Sequence, residues 1–230
     1  MDWEAFAERM ATMARDLLAQ ESLDATLERI SACAVEIVEG CDAAGILVLH
    51  GERVETLAPT ESMVVRSDRL QQRLGEGPCF DAAVRLSGER AFRIQDFTRP
   101  QERWASYAGR ARELGIGSMM GFLLYTWQEN LGALNLYSRR PAAFTKASET
   151  AGWLLASHAA VAFSSARTAD QLQQALETRH TIGEAMGILM ERLKITEDDA
   201  FALMRRVSQE RNVKLRDIAR QICVSGGLDG

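Results

Sequence analysis

Apolar residues at Trp3, Phe6, Met10, Met13 and Leu17 recur at spacings of three and four, the period of one helical face, and predict an amphipathic helix ending near Leu18. Ser22 is a suitable N-cap for a second helix that buries Leu23, Leu27, Ile30, Ala34, Ile37 and Val38 and stops at Gly40. The pattern then shortens. Ala43–His50 and Arg53–Ala58 are short apolar segments joined by a glycine-containing turn, which predicts a hairpin whose first, almost wholly apolar strand is central. A loop with short helices is expected up to Gly88, around Leu70, Leu74 and the run Gly75-Glu76-Gly77-Pro78. Ala91–Ile94 alternates like a strand, and Trp104, Tyr107, Ala108, Ala111 and Leu114 recur like a helix. Ser118–Thr126 and Leu131–Tyr137 flank Gln128-Glu129-Asn130 as a second hairpin. Strands framed by helices at both ends predict an α+β layer with an antiparallel sheet, closing near residue 165.

From Thr145 no proline interrupts the chain until about Lys194, and Leu155, Ala159, Ala162, Ala166, Ala169, Leu172 and Leu176 hold a helical spacing. A helix over about 146–193 would extend about 70 Å. That length exceeds what one small domain can bury. The helix is therefore expected to join a first domain, 1–165, to a second, 166–230, and to pair with its copy in a homodimer. Thr196 precedes Glu197, Asp198 and Asp199, an N-cap followed by acidic residues in a first helical turn. Ala200, Phe201, Leu203, Met204 and Val207 form one stripe that ends at Asn212, and a last helix from Lys214 turns Leu215, Ile218, Ala219 and Ile222 inward. The tail is thus an all-α three-helix bundle with a small core.

Composition narrows the function. The 230 residues carry a formal net charge of −5, and no apolar run approaches the roughly 18 residues that cross a bilayer. The start lacks the basic region of a signal peptide, so a cytoplasmic protein without membrane contact is expected. Cys33, Cys41, Cys79 and Cys223 lie far apart with no histidine at ligand spacing, which argues against a disulfide framework or a metal site. Cys79 beside Pro78 is either a packed thiol or a reactive one. His50, His158 and His180 are scattered. No phosphate loop, serine elbow or paired carboxylates stand out, so no enzyme and no cofactor are expected.

An acidic chain does not coat nucleic acid, so any such contact must be local. Between Phe201 and Gln221 the basic residues Arg205, Arg206, Arg211, Lys214, Arg216 and Arg220 outnumber Glu210 and Asp217. A helical projection sets Arg205 beside Phe201 and Ser208, and Arg216 above Arg220. These groups either cradle a folded phosphate backbone or form a solvated face, and charge alone leaves both open.

Ala175–Arg192, with His180-Thr181-Ile182-Gly183-Glu184-Ala185-Met186-Gly187-Ile188-Leu189-Met190, followed by Ala200-Phe201, Leu203–Arg206, Ser208-Gln209, Asn212 and Lys214–Ala219, resembles the ANTAR domain of RNA-binding antitermination regulators. The resemblance implies a module, usually dimeric, that binds paired RNA hairpins in a leader transcript and disfavours the terminator. Carried over by position, its RNA-facing set is Arg179, Ala185, Gly187, Arg205, Arg206, Ser208, Lys214 and Arg216. Met186 stands where that family often has lysine. Gly183 and Gly187 each cost a helix about 1 kcal/mol relative to alanine, which calls for a close approach of RNA or of another helix.

The front domain resembles the GAF sensor family through Gly75–Cys79, Phe92–Asp96, Trp104, Leu114–Ser118 and Leu131–Tyr137. This implies a small-molecule or protein signal, with Trp104, Tyr107 and Phe122 either lining a cavity or packing as core. The two domains in series resemble actinobacterial GAF-ANTAR regulators. Two other functions fit the tail: a DNA-binding helix-turn-helix, weakened because its last helix is spent on core, and a protein-interaction module of a stress-signalling network.

Overall fold

The computed structural model describes residues 3–51, 53–78, 80–81 and 90–227. Cys79 and residues 82–89, the end of the stretch expected to hold short helices, fall outside them. Seven helices and five strands are found among the described residues, and the chain divides into two compact units between Arg167 and Thr168.

In the first unit, α1 (Trp3–Leu18) and α2 (Leu23–Ile37) precede the hairpin β1 (Ala43–His50) and β2 (Arg53–Leu57). The Ser22 hydroxyl accepts the Ala25 N–H at 3.1 Å and starts α2. Next come α3 (Ser62–Leu74), β3 (Ala91–Ile94), α4 (Ala105–Glu113), and the second hairpin of β4 (Ser118–Tyr125) and β5 (Asn130–Ser138). The sheet is antiparallel throughout, in the order β2-β1-β5-β4-β3. Its centre is β5, the strand with the most continuous burial, flanked by β1 and β4.

Helices cover both faces. Leu17, Leu27, Ile30, Ile46, Phe122, Leu134, Leu155 and Phe163 pack into one core, which joins α1, α2 and the start of the long helix α5 (Lys146–Leu193) to the sheet. Leu47, Met63, Leu70, Tyr107, Met119 and Tyr137 form the second, under α3 and α4. Gly45 permits that closeness, since a Cβ there would lie 2.6 Å from Val64 Cγ1. Where a loop with short helices was expected, α3 is one continuous helix. Its inward face is partly polar: Ser67, Asp68 and Gln71 are fully buried. Asp68 accepts hydrogen bonds from Thr56 Oγ1 at 2.8 Å, Tyr137 Oη at 3.1 Å and Asn135 Nδ2 at 3.4 Å, while Ser67 and Tyr107 share a hydroxyl bond at 2.7 Å. Burial outweighs these donors and pushes the Asp68 carboxyl up to about 6.

The second unit holds the C-terminal part of α5, α6 (Glu197–Arg211) and α7 (Leu215–Ser225). Ala185, Leu189, Ala200, Met204, Ile218, Ala219 and Ile222 are its fully buried centre. Thr196 caps α6, with its hydroxyl accepting the Asp199 N–H at 3.2 Å and donating to Asp199 Oδ2 at 2.7 Å. Among the described residues no helix is long and apolar enough to cross a membrane, and no group of three or more side chains is arranged to hold a metal ion. Cys33 and Cys41 are buried, which pushes their thiols up to about 11 and about 12, far from reactive thiolate values.

Candidate nucleic-acid interface

The turn between α6 and α7 organises the basic residues of the tail. Asn212 ends α6 in the left-handed region at φ 51°, a conformation asparagine tolerates, and its N–H returns to the last turn of the helix. The Ser208 hydroxyl donates to the Val213 carbonyl at 2.6 Å, which ties α6 to the residue before Lys214. Lys214 is the extended N-cap of α7 and has no side-chain cap bond. Arg205, one helical turn ahead of Ser208, and Lys214 are both exposed. Sequence neighbours on two helices are thereby held around one turn, next to the positive end of α7.

The rest of the expected set is arranged less compactly. Arg206 lies about 100° around α6 from Arg205, with Nε 3.9 Å from Glu210 Oε1. Arg216 and Arg220 share Asp217 at 3.7 and 3.6 Å. All of these groups are at least half exposed or nearly so, and surface pairs of this kind are worth about 0–1 kcal/mol, so a phosphate can displace them. Arg179 belongs to the other end of the bundle. The Thr181 carbonyl lies 3.6 Å from Cys223 Sγ, near the end of α7, whereas Lys214 opens that helix about 13 Å earlier.

Ala185 is a correction. It is 0% exposed, in the centre of the tail's core, because Ile182, Ala185 and Leu189 face α6 and α7, and it offers no atom to an external partner. Met186 is half-buried against the same core, so the position where lysine is frequent serves packing in this chain. Gly183 and Gly187 are exposed, and a Cβ built on either meets nothing within 4 Å. Neither glycine is required by packing inside the protomer. The residue pattern of the tail did not reveal a second basic cluster, Arg66, Arg69, Arg73 and Arg110, which lies between α3 and α4 of the first unit.

Residues 20–164 match the GAF domain family, and residues 170–222 match the ANTAR domain family. A search of curated proteins returns no match. Among solved structures, the phytochrome photosensory core module of Stigmatella aurantiaca aligns with a TM-score of 0.60 at 13% identity, over 90% of this chain and 45% of that one. The bacteriophytochrome of the photosynthetic bacterium R. palustris gives 0.58 at 10% identity, over 87% and 46%. The GAF domain of an Acinetobacter phosphoenolpyruvate-protein phosphotransferase gives 0.53 at 13%, over 73% and 96%. This chain thus spans less than half the length of the phytochrome structures it resembles, and at such identities the likeness establishes the fold alone. The sheet order, the helices on its two faces and the family matches agree: the chain belongs to the GAF domain family, with the sensor domain followed by an ANTAR domain, an RNA-binding module of antitermination regulators.

Proposed function

We propose that this protein is a signal-responsive regulator of transcription antitermination, acting in the cytoplasm, which binds hairpins in leader transcripts through its C-terminal unit. The observation that carries this reading is the α6–α7 turn. Arg205 and Lys214 are exposed there without an ion-pair partner among the described residues, and Ser208 fixes the turn between them. In a protein of net charge −5 such a cluster supplies a local phosphate contact without general affinity for polyanions. Unpaired loop bases can be read by side chains, whereas the deep groove of an A-form stem cannot, so a compact protruding turn suits a hairpin loop. Arg206 and Arg216 join the surface by exchanging weak surface pairs for phosphate, Arg179 would make a separate contact at the other end of the bundle, and Gly187 leaves the backbone open to close approach.

Titration of the full chain with leader hairpins, scrambled RNA and duplex DNA at fixed salt tests this. Arg205→Ala combined with Lys214→Ala is expected to weaken hairpin binding about 100-fold, with thermal stability changed by no more than about 0.5 kcal/mol. Unchanged affinity would reject the surface. A preference for duplex DNA would instead indicate a helix-turn-helix regulator, and binding of neither nucleic acid a protein-interaction module.

The homodimer is part of the same proposal, read from α5. Leu154, His158, Val161, Ser165, Ala169, Leu172, Leu176 and His180 are all exposed and recur at steps of four, three and four. This uncharged stripe follows an 11-residue period, which keeps one face of a nearly straight helix toward a partner. Leu172 and Leu176 are 62% and 54% exposed, more than a solvated helix face normally leaves open for two leucines in succession. A second copy covers them in the proposed dimer, which would present two RNA-binding turns to paired hairpins. Leu172→Glu with Leu176→Glu is expected to convert a dimer into a monomer in analytical ultracentrifugation; unaltered sedimentation would place the seam elsewhere.

A further inference from the structure

Arg66, Arg69 and Arg73 follow one another on α3 at steps of three and four and therefore share a helix face. Arg110 of α4 meets them across a groove of about 700 Å3, lined also by the buried Leu70 and the half-buried Leu114. The four arginines are exposed, and among the described residues none has a carboxylate within ion-pair distance, although Glu113 stands on the rim. Several other arginines of this unit are paired: Arg29 with Asp16 and Glu36, Arg139 with Glu61, Arg167 with Glu129. Gathering like charges without counter-charges raises the local potential and disfavours the folded unit unless an anion is bound.

We propose that the α3–α4 groove of the sensor unit is a binding site for a compact polyphosphate anion, with its phosphates on the guanidinium groups and an apolar or planar moiety on Leu70 and Leu114. Arginine offers paired N–H donors that match phosphate oxygens in a way lysine does not, and all four cations here are arginine. Arg66 to Arg73 spans about 10 Å of helix axis. That distance is too long for one phosphate and suits several linked ones. The volume falls in the range of about 300–1,000 Å3 found for small-molecule sites, which favours a compact ligand over an extended strand of RNA. The two leucines give a nucleoside something to rest on, so the chemistry is shared by nucleoside triphosphates and by inorganic polyphosphate. The site goes beyond the RNA reading and does not depend on it.

Calorimetric titration of the full chain at physiological ionic strength, with ATP, inorganic tripolyphosphate and adenosine as probes, tests the proposal. Saturable binding of tripolyphosphate is expected, and none of adenosine. ATP binding much tighter than tripolyphosphate would assign the nucleotide source, and equal binding the phosphate chain alone. Arg69→Gln with Arg73→Gln is expected to weaken the anion about tenfold or more, while Lys214→Gln with Arg216→Gln in the C-terminal unit leaves it unchanged. Should the α3 double variant fold poorly, Arg110→Gln on α4 gives the same reading from the opposite wall. The proposal is overturned if neither anion saturates, if binding survives loss of the groove arginines, or if it follows the C-terminal cations. It is equally overturned if the groove variants weaken hairpin RNA while neither small anion binds, since the cluster would then be a nucleic-acid contact. Hairpin binding that persists when the groove fails, or the reverse, separates this inference from the proposed function.

Discussion

The sensor unit buries apolar side chains on both faces of a five-stranded sheet, whereas the C-terminal unit closes a centre of seven fully buried residues between three helices. Three of those seven are alanine, so the few large side chains Leu189, Met204, Ile218 and Ile222 supply most of the apolar contact. The difference bears on how each unit can work. A double-layered unit tolerates a buried carboxylate and a groove of like charges. The tail has no such reserve, and its basic residues stay on its exterior, two of them resting on Asp217. A small core that carries its chemistry on the surface is suited to being stabilised by whatever it binds.

The strongest way to break that comparison is to remove an equivalent buried side chain from each unit. Met204 is 0% and Met120 is 1% exposed. Truncation of a buried methionine to alanine costs about 2–5 kcal/mol. In the sensor unit Met120→Ala is expected to lower the unfolding temperature while the cooperative transition persists. In the tail Met204→Ala removes a comparable amount from a much smaller total, so amide exchange over α6 and α7 is expected to approach unprotected rates while the sensor strands remain protected. Equal protection of both units in the Met204 variant would show that the tail is more strongly held than its own core allows.

Much of this architecture is legible in the residues. The short apolar runs set off by turns give β1, β4 and β5, Ser22 and Thr196 mark helix starts that the structure caps as expected, and the unbroken stretch after Thr145 gives α5. Where legibility fails, polar burial is the cause. The inward face of α3 carries Ser67, Asp68 and Gln71, so its apolar period is blurred and a single helix looks like loop and fragments. Ala185 fails in the opposite sense: its spacing with Ile182 and Leu189 already assigns it to the core, and positional resemblance overrode that signal. The arginine groove was only half visible. Arg66, Arg69 and Arg73 form a regular series, but the packing of α4 that brings Arg110 opposite them is a tertiary fact.

Asp68 sharpens the comparison at a smaller scale, because among the described residues only the sensor unit encloses a fully buried carboxyl. Its folded value near 6 lies above the ordinary 3.8, since burial disfavours the charged form more than Thr56, Tyr137 and Asn135 favour it. Below about pH 4 both folded and unfolded chains hold the proton and Asp68 carries no penalty. Between about 4 and 6 the unfolded chain releases its proton first, so stability falls as pH rises, by a total of order 3 kcal/mol, and the loss is then constant above that window. Asparagine can keep the geometry: its carbonyl oxygen accepts from Tyr137 and Asn135, and its amide donates to the Thr56 hydroxyl. Asp68→Asn is therefore expected to leave the sensor transition as stable as the parent or somewhat more stable at pH 7, and to flatten the decline between pH 4 and 6. The measurement is the difference between the two pH profiles in calorimetry, which cancels groups common to both. A variant whose stability falls with the same slope as the parent would show that the Asp68 carboxyl is not what the sensor unit titrates.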